Sequence, residues 1–375
     1  MRWPCLFHVL FVRRRHMVFY MKNSIKVAIA GVGNCAQAFI TGIEYYRNNP
    51  DDVRGLMHVD VGGYKVTDIE VVAAFDINEG KVGKDLAEAV YAEPNRAYKY
   101  PGVLLKPTSV IVQKGPVLDG NPPHLNEFYK LSAAPECDVA KVLKDSGAEM
   151  LLNFIPTESH DAARFYADAA VKESKIGFVN GMPTLIVCDP EYQKAALQNG
   201  VPLIGDDVKS QFGGTIIHRA LATTMIDRGV HMEATYQLNF AGNTDFANLL
   251  NRGKSKHKTK QEAVTSLMPY PVEMSTGFSY VELMKDRKTS IFYITGSNFG
   301  NAPLRLEAKL EVEDSANFAG VVVDMARCMR IALDRKISGV LDSACSFLTK
   351  HPPAQIPDNQ AADAMNEYIA GSRER

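Results

Sequence analysis

Short apolar runs alternate with helical patterns between residues 25 and 207. Each run is as short and as uniformly hydrophobic as a strand buried on both faces, and the intervening segments repeat apolar residues every three or four positions. The predicted strands are residues 25–30, 68–77, 109–115, 148–156, 176–183 and 201–207. The predicted helices are residues 34–46, 81–92, 138–147 and 159–174, with Ser159 capping the last. This alternation predicts an α/β fold, a Rossmann-like doubly wound parallel sheet.

The pattern changes after Lys209. Long stretches at residues 231–242, 278–300 and 304–314 alternate apolar with polar residues, which is typical of an antiparallel sheet with one covered face. Residues 316–337 return to a helical pattern. We therefore predict a nucleotide-binding domain formed by residues 23–208 and 315–375, and an inserted α+β domain at residues 209–314.

Composition places the chain among ordinary globular proteins. It has 375 residues, 46% of them hydrophobic, and a formal net charge of -1. A nearly neutral chain gives no electrostatic reason to expect nucleic acid or an anionic membrane as a partner. The six cysteines lack the spacing of a zinc site or a disulfide framework, which favours reduced thiols in a cytoplasmic protein.

The first 22 residues form a separate segment. Their apolar run is interrupted by Arg13, Arg14 and Arg15 and is too short to span a bilayer. The order of charged and apolar residues is not that of a signal peptide. We interpret the segment as an over-extended start, with a genuine N-terminal tail as the alternative.

A glycine-rich turn follows the first predicted strand. Gly31 permits the tight turn, and Gly33 lets the backbone approach a pyrophosphate. A small residue at the third position allows close packing of helix and strand, and the phosphate would meet the helix start. The predicted cofactor-binding residues here are Gly31, Val32, Gly33, Asn34, Cys35 and Ala36. A glycine-rich turn without a ligand is the alternative.

Asp76 ends the second predicted strand, at the place where an acidic residue binds the ribose hydroxyls of a dinucleotide. It follows the glycines at a longer distance than usual, and the polar insertion at residues 47–66 accounts for the difference. A carboxylate at this position disfavours a 2′-phosphate, so NAD is predicted rather than NADP.

Three polar stretches contain candidate chemistry. Residues 205–219 ("GDDVKSQFGGTIIHR") place carboxylates and a lysine at a strand-to-helix turn, and residues 239–250 ("NFAGNTDFANLL") place Asn243 and Asp245 after a strand. Lysines 254, 256, 258 and 260 form a basic patch. A phosphorylated substrate would explain the patch, because lysine is a mobile donor for phosphate. The alternatives are a solvated lysine loop, and helix capping by Asp206 or Asp207.

Taken in order, these stretches resemble myo-inositol-1-phosphate synthases of the shorter bacterial and archaeal form. The resemblance covers nearly all of residues 25–360. It depends on the ordered motifs "AIAGVGNCA", "GLMHV", "VVAAFD", "VNGMP", "GDDVKSQ", "NFAGNTDF", "KTKQEAVTS", "LEVEDSANFAG" and "HPPAQIPD".

The resemblance implies an isomerase that uses NAD without consuming it. Glucose 6-phosphate is oxidised at C5, enolised by loss of a C6 proton, cyclised by attack of C6 on C1, and reduced again to inositol phosphate. It also implies a cytoplasmic homotetramer, with the inserted domain serving catalysis and oligomerisation. Family members further use a divalent or a monovalent cation, and no membrane or nucleic-acid partner.

By motif, the resemblance makes Lys209 and Lys260 catalytic, one at the C5 oxygen and the other at the C1 oxyanion, in either order. Lys336 is a third candidate, with a charge at a helix C-terminus as its alternative. The remaining assignments are Asp207 as catalytic; Asn180, Asp314 and Ser315 as cofactor-binding; Asn243, Asp245 and Lys256 as substrate-binding; and Asp245 as a metal candidate.

Two other functions explain part of the sequence. An ordinary two-domain NAD-dependent dehydrogenase would account for the glycine turn and the inserted domain, but not for the separated lysine motifs. A non-catalytic NAD sensor would leave both the lysine and the aspartate motifs without a role.

Overall fold

A computed structural model describes residues 24–375, so the segment 1–22 lies outside the described residues. The strands are β1 (Ile25–Ala30), β2 (Ile69–Asp76), β3 (Gln113–Lys114), β4 (Met150–Asn153), β5 (Gly177–Asn180), β6 (Pro202–Ile204), β7 (His231–Ala241), β8 (Glu273–Tyr280), β9 (Arg287–Ser297), β10 (Pro303–Glu313) and β11 (Gly339–Val340). The helices are α1 (Asn34–Asn48), α2 (Leu86–Ala89), α3 (Val139–Asp145), α4 (His160–Ala167), α5 (Pro190–Asn199), α6 (Gly214–Asp227), α7 (Thr244–Leu249), α8 (Lys254–Thr265), α9 (Asp314–Asp334), α10 (Asp342–Leu348) and α11 (Asp358–Ala370).

Seven parallel strands form the first sheet, in the order β11-β6-β5-β4-β1-β2-β3. The central strands are buried along nearly their whole length, as parallel strands covered by helices on both faces must be. Their order reverses beside β1, so the crevice outside the carboxyl ends of the strands opens there. The predicted Rossmann-like fold is confirmed.

The second sheet has four strands in the order β10-β9-β7-β8. Strand β9 is antiparallel to β7 and β10, but β8 runs parallel to β7. The predicted purely antiparallel sheet is therefore wrong, and the sheet is mixed. The helices α7 and α8 lie between β7 and β8 in the chain and form the crossover that a parallel pair requires.

Two predicted elements in the first sheet region are much shorter than expected. Of residues 109–115, only Gln113–Lys114 is a strand, and of residues 81–92 only Leu86–Ala89 is an α-helix. Gly83 interrupts the second pattern with a left-handed backbone (φ 83°), and Asp85 caps the helix by accepting from the Ala87 N–H group. The spacing of apolar residues at 81–92 is helical, but the turn at Gly83 breaks the helix, and the Lys81 side chain before this turn is buried.

Residues 159–174 are helical as predicted, α4 continuing through a π-helical segment at Asp168–Ser174. Ser159 occupies the N-cap position without a side-chain capping hydrogen bond, so the predicted cap is wrong. Its Oγ atom is buried and has no partner within residues 24–375.

The long helix α9 packs against α1 and returns the chain to the first sheet after β10. Most of its side chains are buried, which explains why alanine, valine and methionine are frequent in it. The domain boundaries at residues 208 and 315 stay a prediction. No helix within residues 24–375 has the length and apolarity needed to cross a membrane, and the five cysteines of this range are free thiols.

Candidate active site

A cleft opens at the carboxyl ends of the parallel strands. Segments that follow β1, β2, β4, β5 and β6 line one side of it, and α7, α8 and β9 line the other. This is the position at which open α/β sheets bind ligands. The cleft brings together residues from the glycine turn to Lys350, which are far apart in the sequence.

The glycine turn forms one end of the cleft. Gly31 has a left-handed backbone (φ 93°), and a Cβ atom there would lie 2.7 Å from the Phe154 carbonyl oxygen. At Gly33, by contrast, a Cβ atom would meet nothing within 4 Å, so the backbone faces open space where α1 begins. Free N–H groups at such a helix start can bind a pyrophosphate.

Of the six residues predicted in this turn, Gly31, Gly33, Asn34 and Cys35 line the cleft. The side chains of Val32 and Ala36 are completely buried in the core instead. Val32 contributes its backbone, and Ala36 provides the small side chain that lets helix and strand pack closely.

Asp76 lies at the end of β2 and lines the same end of the cleft. Its Oδ2 atom accepts the Val32 N–H group at 2.8 Å, and its Oδ1 atom accepts the N–H groups of Ile77 and Asn78 at 2.7 and 2.9 Å. A carboxylate has about four acceptor positions, so one remains for a ribose hydroxyl. The same carboxylate therefore holds the glycine turn in place and can bind the sugar.

A buried lysine adjoins Asp76. Lys81 Nζ donates to Asn95 Oδ1 at 2.9 Å and lies 3.8 Å from Asp76 Oδ2. Asn95 in turn donates to the Val32 carbonyl, so the lysine connects the end of β2 to the glycine turn. Burial lowers the pKa of Lys81, although the Asp76 carboxylate opposes this shift. Lys81 was not predicted as a site residue, because its segment has the apolar spacing of a helix.

Four lysines line the opposite end of the cleft, and three of them form ion pairs with aspartates. The four are Lys256, Lys260, Lys288 and Lys350. Lys256 Nζ lies 2.5 Å from a carboxylate oxygen of Asp245, Lys288 Nζ lies 2.5 Å from one of Asp314, and Lys350 Nζ lies 2.6 Å from one of Asp207. Lys256 and Lys260 lie four residues apart on α8, so they share a helix face. Lys254 and Lys258 point to solvent. The lysine run is therefore helical, and the loop alternative is wrong.

Lys260 is the exception among the four. It has no carboxylate within ion-pair distance in the part of the chain that the structure describes, and only 4% of it is exposed. Its Nζ atom donates to Asn239 Oδ1 at 3.1 Å and lies 5.4 Å from the centre of the Phe278 ring. Burial and the charges of the three other lysines hold its pKa well below the usual range. A neutral amine in this position can accept a proton.

Two of the aspartates that face these lysines have lowered pKa values. Burial alone would raise the pKa of Asp207, but Lys350 and Lys256 lower it below its usual value. Lys288 has the same effect on Asp314. Thr259 also donates to Asp207, at 2.7 Å, which joins α8 to the segment after β6.

Polar groups next to these pairs shape the cleft wall. Asn243 caps α7 by accepting from the Phe246 N–H group at 3.1 Å and donates to Asp286 at 3.0 Å. Ser315 donates to Asp286 through both its N–H and its hydroxyl group. Burial and the nearby Asp314 charge raise the pKa of Asp286 to about 7. Asn243, Asp245, Asp314 and Ser315 all line the cleft.

Besides Val32 and Ala36, three predicted site residues do not line the cleft. Lys209 is buried, and its Nζ atom donates to Asp358 at 2.9 Å and to the Ser346 carbonyl at 3.1 Å. Lys336 is exposed just after the C-terminus of α9. This position agrees with the alternative interpretation, a charge at a helix C-terminus. Asn180 lies behind the wall and donates to Asp206 at 2.6 Å. The geometry gives no support to direct contact between these three and a ligand.

Neither of the adjacent aspartates caps a helix. Asp206 accepts the N–H groups of Ile186, Val187 and Cys188, which belong to a turn. Burial raises its pKa to about 6. The capping alternative for the pair is therefore wrong.

The surroundings of Asp245 do not resemble a metal site. Its carboxylate accepts from Thr157 Oγ1 at 2.8 Å and from the Lys256 ammonium, so a cationic group already adjoins it. Within residues 24–375, no three histidine, cysteine, aspartate or glutamate side chains converge as metal ligands. Asp245 as a metal ligand stays a prediction that these contacts do not favour.

Two cleft lysines were missed in the sequence. Lys288 begins the alternating pattern of β9 at an inward position, and Lys350 immediately precedes the motif "HPPAQIPD". Neither position alone distinguishes a site lysine from a surface lysine. Their pairing with Asp314 and Asp207 appears only in the folded chain.

Comparison with known proteins places these features in a family context. Residues 213–315 match the family model of myo-inositol-1-phosphate synthase. The chain is 43% identical over 361 residues to the inositol-3-phosphate synthase of Mycolicibacterium smegmatis, covering 93% of this chain and 99% of the relative. It is 45% identical over 360 residues to the enzyme of the same name from Corynebacterium glutamicum, covering 92% and 98%.

Solved structures are similar over the same span. The crystal structure of a protein named Ari2 superposes with a TM-score of 0.77 at 34% identity, covering 93% of this chain and 99% of the other. The inositol-3-phosphate synthase of Caenorhabditis elegans superposes with a TM-score of 0.74 at 16% identity, covering 93% and 86%. At that identity the second similarity supports the fold alone.

Proposed function

Because the chain belongs to the myo-inositol-1-phosphate synthase family, we propose that it isomerises D-glucose 6-phosphate to 1D-myo-inositol 3-phosphate. The observation that carries the proposal is the group of four cleft lysines, three paired with aspartates and one not. Such a group suits a phosphorylated substrate on which oxyanions develop. Its position at the far end of a dinucleotide cleft suits a reaction that removes and returns a hydride.

We propose NAD as the cofactor. Gly33 and the start of α1 would hold its pyrophosphate, and Asp76 would accept from a ribose hydroxyl, with Lys81 beside it. When bound, NAD supplies a hydride acceptor at C5 and later a hydride donor to the cyclic ketone, so the overall reaction has no net redox change. An acidic residue at the end of β2 favours NAD over NADP.

The lysines divide the proton and charge chemistry between them. Lys260, as a neutral amine, would accept the proton of the C5 hydroxyl when the hydride leaves C5. Enolisation then releases a C6 proton, C6 bonds to C1, and the C1 oxygen gains one proton, which balances the proton lost from C6. Lys256, Lys288 and Lys350, each in an ion pair with an aspartate, would bind the phosphate and the oxygens that gain negative charge. Return of the hydride to C5, and of the proton from Lys260 to the C5 oxygen, leaves no net change in protons or electrons.

The assignment differs from the one that motif matching suggested. Lys209 was predicted to share the acid and base work with Lys260, but its ammonium lies against Asp358 outside the cleft. Lys288 and Lys350 take its place in the proposal because both line the cleft. Asp207 would act through Lys350 and Thr259 as a positioning residue.

We also propose a cytoplasmic homotetramer. The outer face of the second sheet supports this assembly, because Tyr236, Leu238, Ile291 and Tyr293 remain partly exposed there in a contiguous apolar stripe. The rings of Tyr236 and Tyr293 stack with their centres 5.2 Å apart. A flat apolar sheet face of this kind is typical of a protein interface.

The decisive experiment incubates the purified protein with glucose 6-phosphate and a catalytic amount of NAD. We expect inositol phosphate to accumulate well beyond the amount of NAD, without net formation of reduced cofactor. Stoichiometric reduced cofactor without cyclic product would indicate an ordinary dehydrogenase, and NAD binding without turnover would indicate a sensor. Lys260→Met should reduce kcat at least about 10³-fold while the affinity for NAD is retained. The control Lys258→Met, which changes an exposed lysine of the same helix, should remain active.

A further inference from the structure

A polar chain on the inner face of β7 ends at Lys260. Gln237 and Asn239 lie two residues apart on this strand and are both buried. Gln237 Nε2 donates to Asn239 Oδ1 at 2.7 Å, and Ser290 Oγ of β9 donates to the same oxygen at 2.9 Å. Lys260 Nζ approaches that oxygen at 3.1 Å. Three donors therefore share one amide oxygen, which has two lone pairs.

The orientation of the Asn239 amide is fixed from its other end as well. Its Nδ2 atom donates to the Gly277 carbonyl of β8 at 3.1 Å. A rotated amide would lose this bond and would present an NH₂ group to the Gln237 and Ser290 donors. The oxygen is thus held toward Lys260 while most of its acceptor capacity is already used.

The Gln237 amide contacts two polar groups. Its Nε2 atom donates to Asn239, and its side chain also meets His218 of α6, where the interaction opposes the lowering of the His218 pKa by burial. Gln237 therefore connects a buried imidazole to the amide oxygen that Lys260 approaches.

Building on the proposed role of Lys260 as the proton acceptor, we propose that Gln237 is a positioning residue that keeps this lysine a neutral amine. It does so by occupying the Asn239 oxygen, which would otherwise stabilise the ammonium form. A hydrogen-bond acceptor favours the charged form of a lysine, and an acceptor shared with two other donors favours it less. Gln237 acts on the reaction through Asn239, without reaching the cleft itself.

Several charged or titratable groups surround Lys260 and also affect its pKa. Burial and the positive neighbours lower the pKa of Lys260, while the carboxylate of α9 opposes them. These groups are Lys256 and His257 of its own helix, His218 of α6, Lys288 of β9, Lys350 after α10 and Asp314 of α9. None of them is removed when Gln237 is changed.

The test compares kcat against pH for the wild type, Gln237→Met and Gln237→Glu. The reaction needs the neutral amine, so kcat falls as the pH drops through the pKa of Lys260. Removing the donor frees the Asn239 oxygen and should move this fall to higher pH by about half a unit, and a carboxylate at residue 237 should move it by about one unit or more. At neutral pH the Glu variant should be about 10-fold slower and should recover at high pH. A loss by the same factor at every pH, or an unmoved profile, would overturn the proposal.

A second readout is independent of turnover. The pH dependence of Lys260 acetylation by acetic anhydride, followed by peptide mass spectrometry, should show the same upward movement in both variants. Ser290→Ala removes the other donor and should move the profile in the same direction, so a poorly folding Gln237 variant does not decide the question. The control Gln193→Met removes a glutamine that bonds only to the Val187 carbonyl, and should leave both profiles in place.

The two readouts separate this inference from the proposed function. If no inositol phosphate forms but the acetylation profile still moves, the proposed reaction is wrong and the positioning role holds. If turnover occurs and neither profile moves in the variants, Gln237 has no such role.

Discussion

At the scale of single residues, the cleft is organised by how each buried charge is balanced. Lys256, Lys288 and Lys350 each face an aspartate, which offsets part of the large cost of burying an ammonium. Lys260 faces an amide oxygen and an aromatic ring instead, and burial together with the neighbouring lysines lowers its pKa well below the usual range. Four residues of one type therefore have different surroundings, three with a carboxylate partner and one with an amide.

Asp76 offers a direct test at the same scale. Asp76→Asn should raise the Kd for NAD by about 10-fold or more, because the ribose loses an anionic acceptor and the Val32 N–H group loses its partner. NADP should lose less affinity, because the carboxylate that repels a 2′-phosphate is gone. Isothermal titration calorimetry of both nucleotides measures the ratio. Glu88→Gln, at an exposed ion pair on α2, is the matched control, and an unaltered ratio in Asp76→Asn would contradict the assignment.

At the scale of elements, a buried ion cluster connects three helices behind the cleft. Asp358 at the start of α11 accepts from Lys209 at 2.9 Å and from Arg219 of α6 at 2.6 Å. Arg219 also donates to the Ala263 carbonyl of α8, the helix that positions Lys256 and Lys260. The cluster therefore fixes the lysine helix relative to the first sheet, and Lys209 stabilises this arrangement from outside the cleft.

Lys209→Met should reduce stability more than catalysis. The variant leaves the Ser346 carbonyl without its donor and Asp358 with Arg219 alone, so the free energy of unfolding should fall by about 2 kcal/mol, less than for a fully buried pair because Asp358 is partly exposed and keeps one partner. Urea unfolding measures this change, and kcat of the folded fraction should stay within about threefold of the wild type, far from the loss expected of a catalytic lysine. The exposed Lys336→Met serves as control and should alter neither. A loss of 10³-fold or more in Lys209→Met would restore its catalytic role.

At the scale of the whole molecule, the two sheets provide different parts of the cleft. The parallel sheet presents the glycine turn and Asp76 at one end of the cleft, and the mixed sheet with α8 presents Lys256, Lys260 and Lys288 at the other, beside Lys350, which follows α10. The inner face of the mixed sheet is polar where it supports Lys260, and its outer face is apolar. One strand, β7, serves both purposes by alternation of its side chains.

The outer face gives the prediction at this scale. Leu238→Lys places a charge in the centre of the apolar stripe, so it should dissociate the proposed tetramer into smaller species, because an unpaired charge in an interface is strongly unfavourable. Sedimentation velocity of wild type and variant measures the change. Leu104→Lys introduces the same charge at a side chain that is 80% exposed elsewhere, and should not change the assembly. A Leu238→Lys protein of unaltered mass would show that this face is not the interface.

The sequence by itself determined the features that depend on neighbouring residues. Apolar runs and their spacing predicted the parallel sheet and the helices α1, α3, α4 and α9, because side-chain periodicity follows from local backbone geometry. The glycine turn and Asp76 were recognisable since a strand, a turn and a helix start are contiguous there. Lys256 and Lys260 were predicted as site residues from their motif, and the helix α8 then places them on one face because four residues complete about one helical turn.

Only the tertiary structure decided which distant residues meet. Lys288 and Lys350 reach the cleft through the path of β9 and the end of α10, while Lys209 turns toward Asp358, although its motif suggested the site. Strand β8 pairs in parallel with β7, although its alternation is the same as that of an antiparallel strand. Local sequence patterns do not predict which strands pair or which charges meet, because burial and charge pairing between residues far apart in the sequence determine the energies of the possible arrangements.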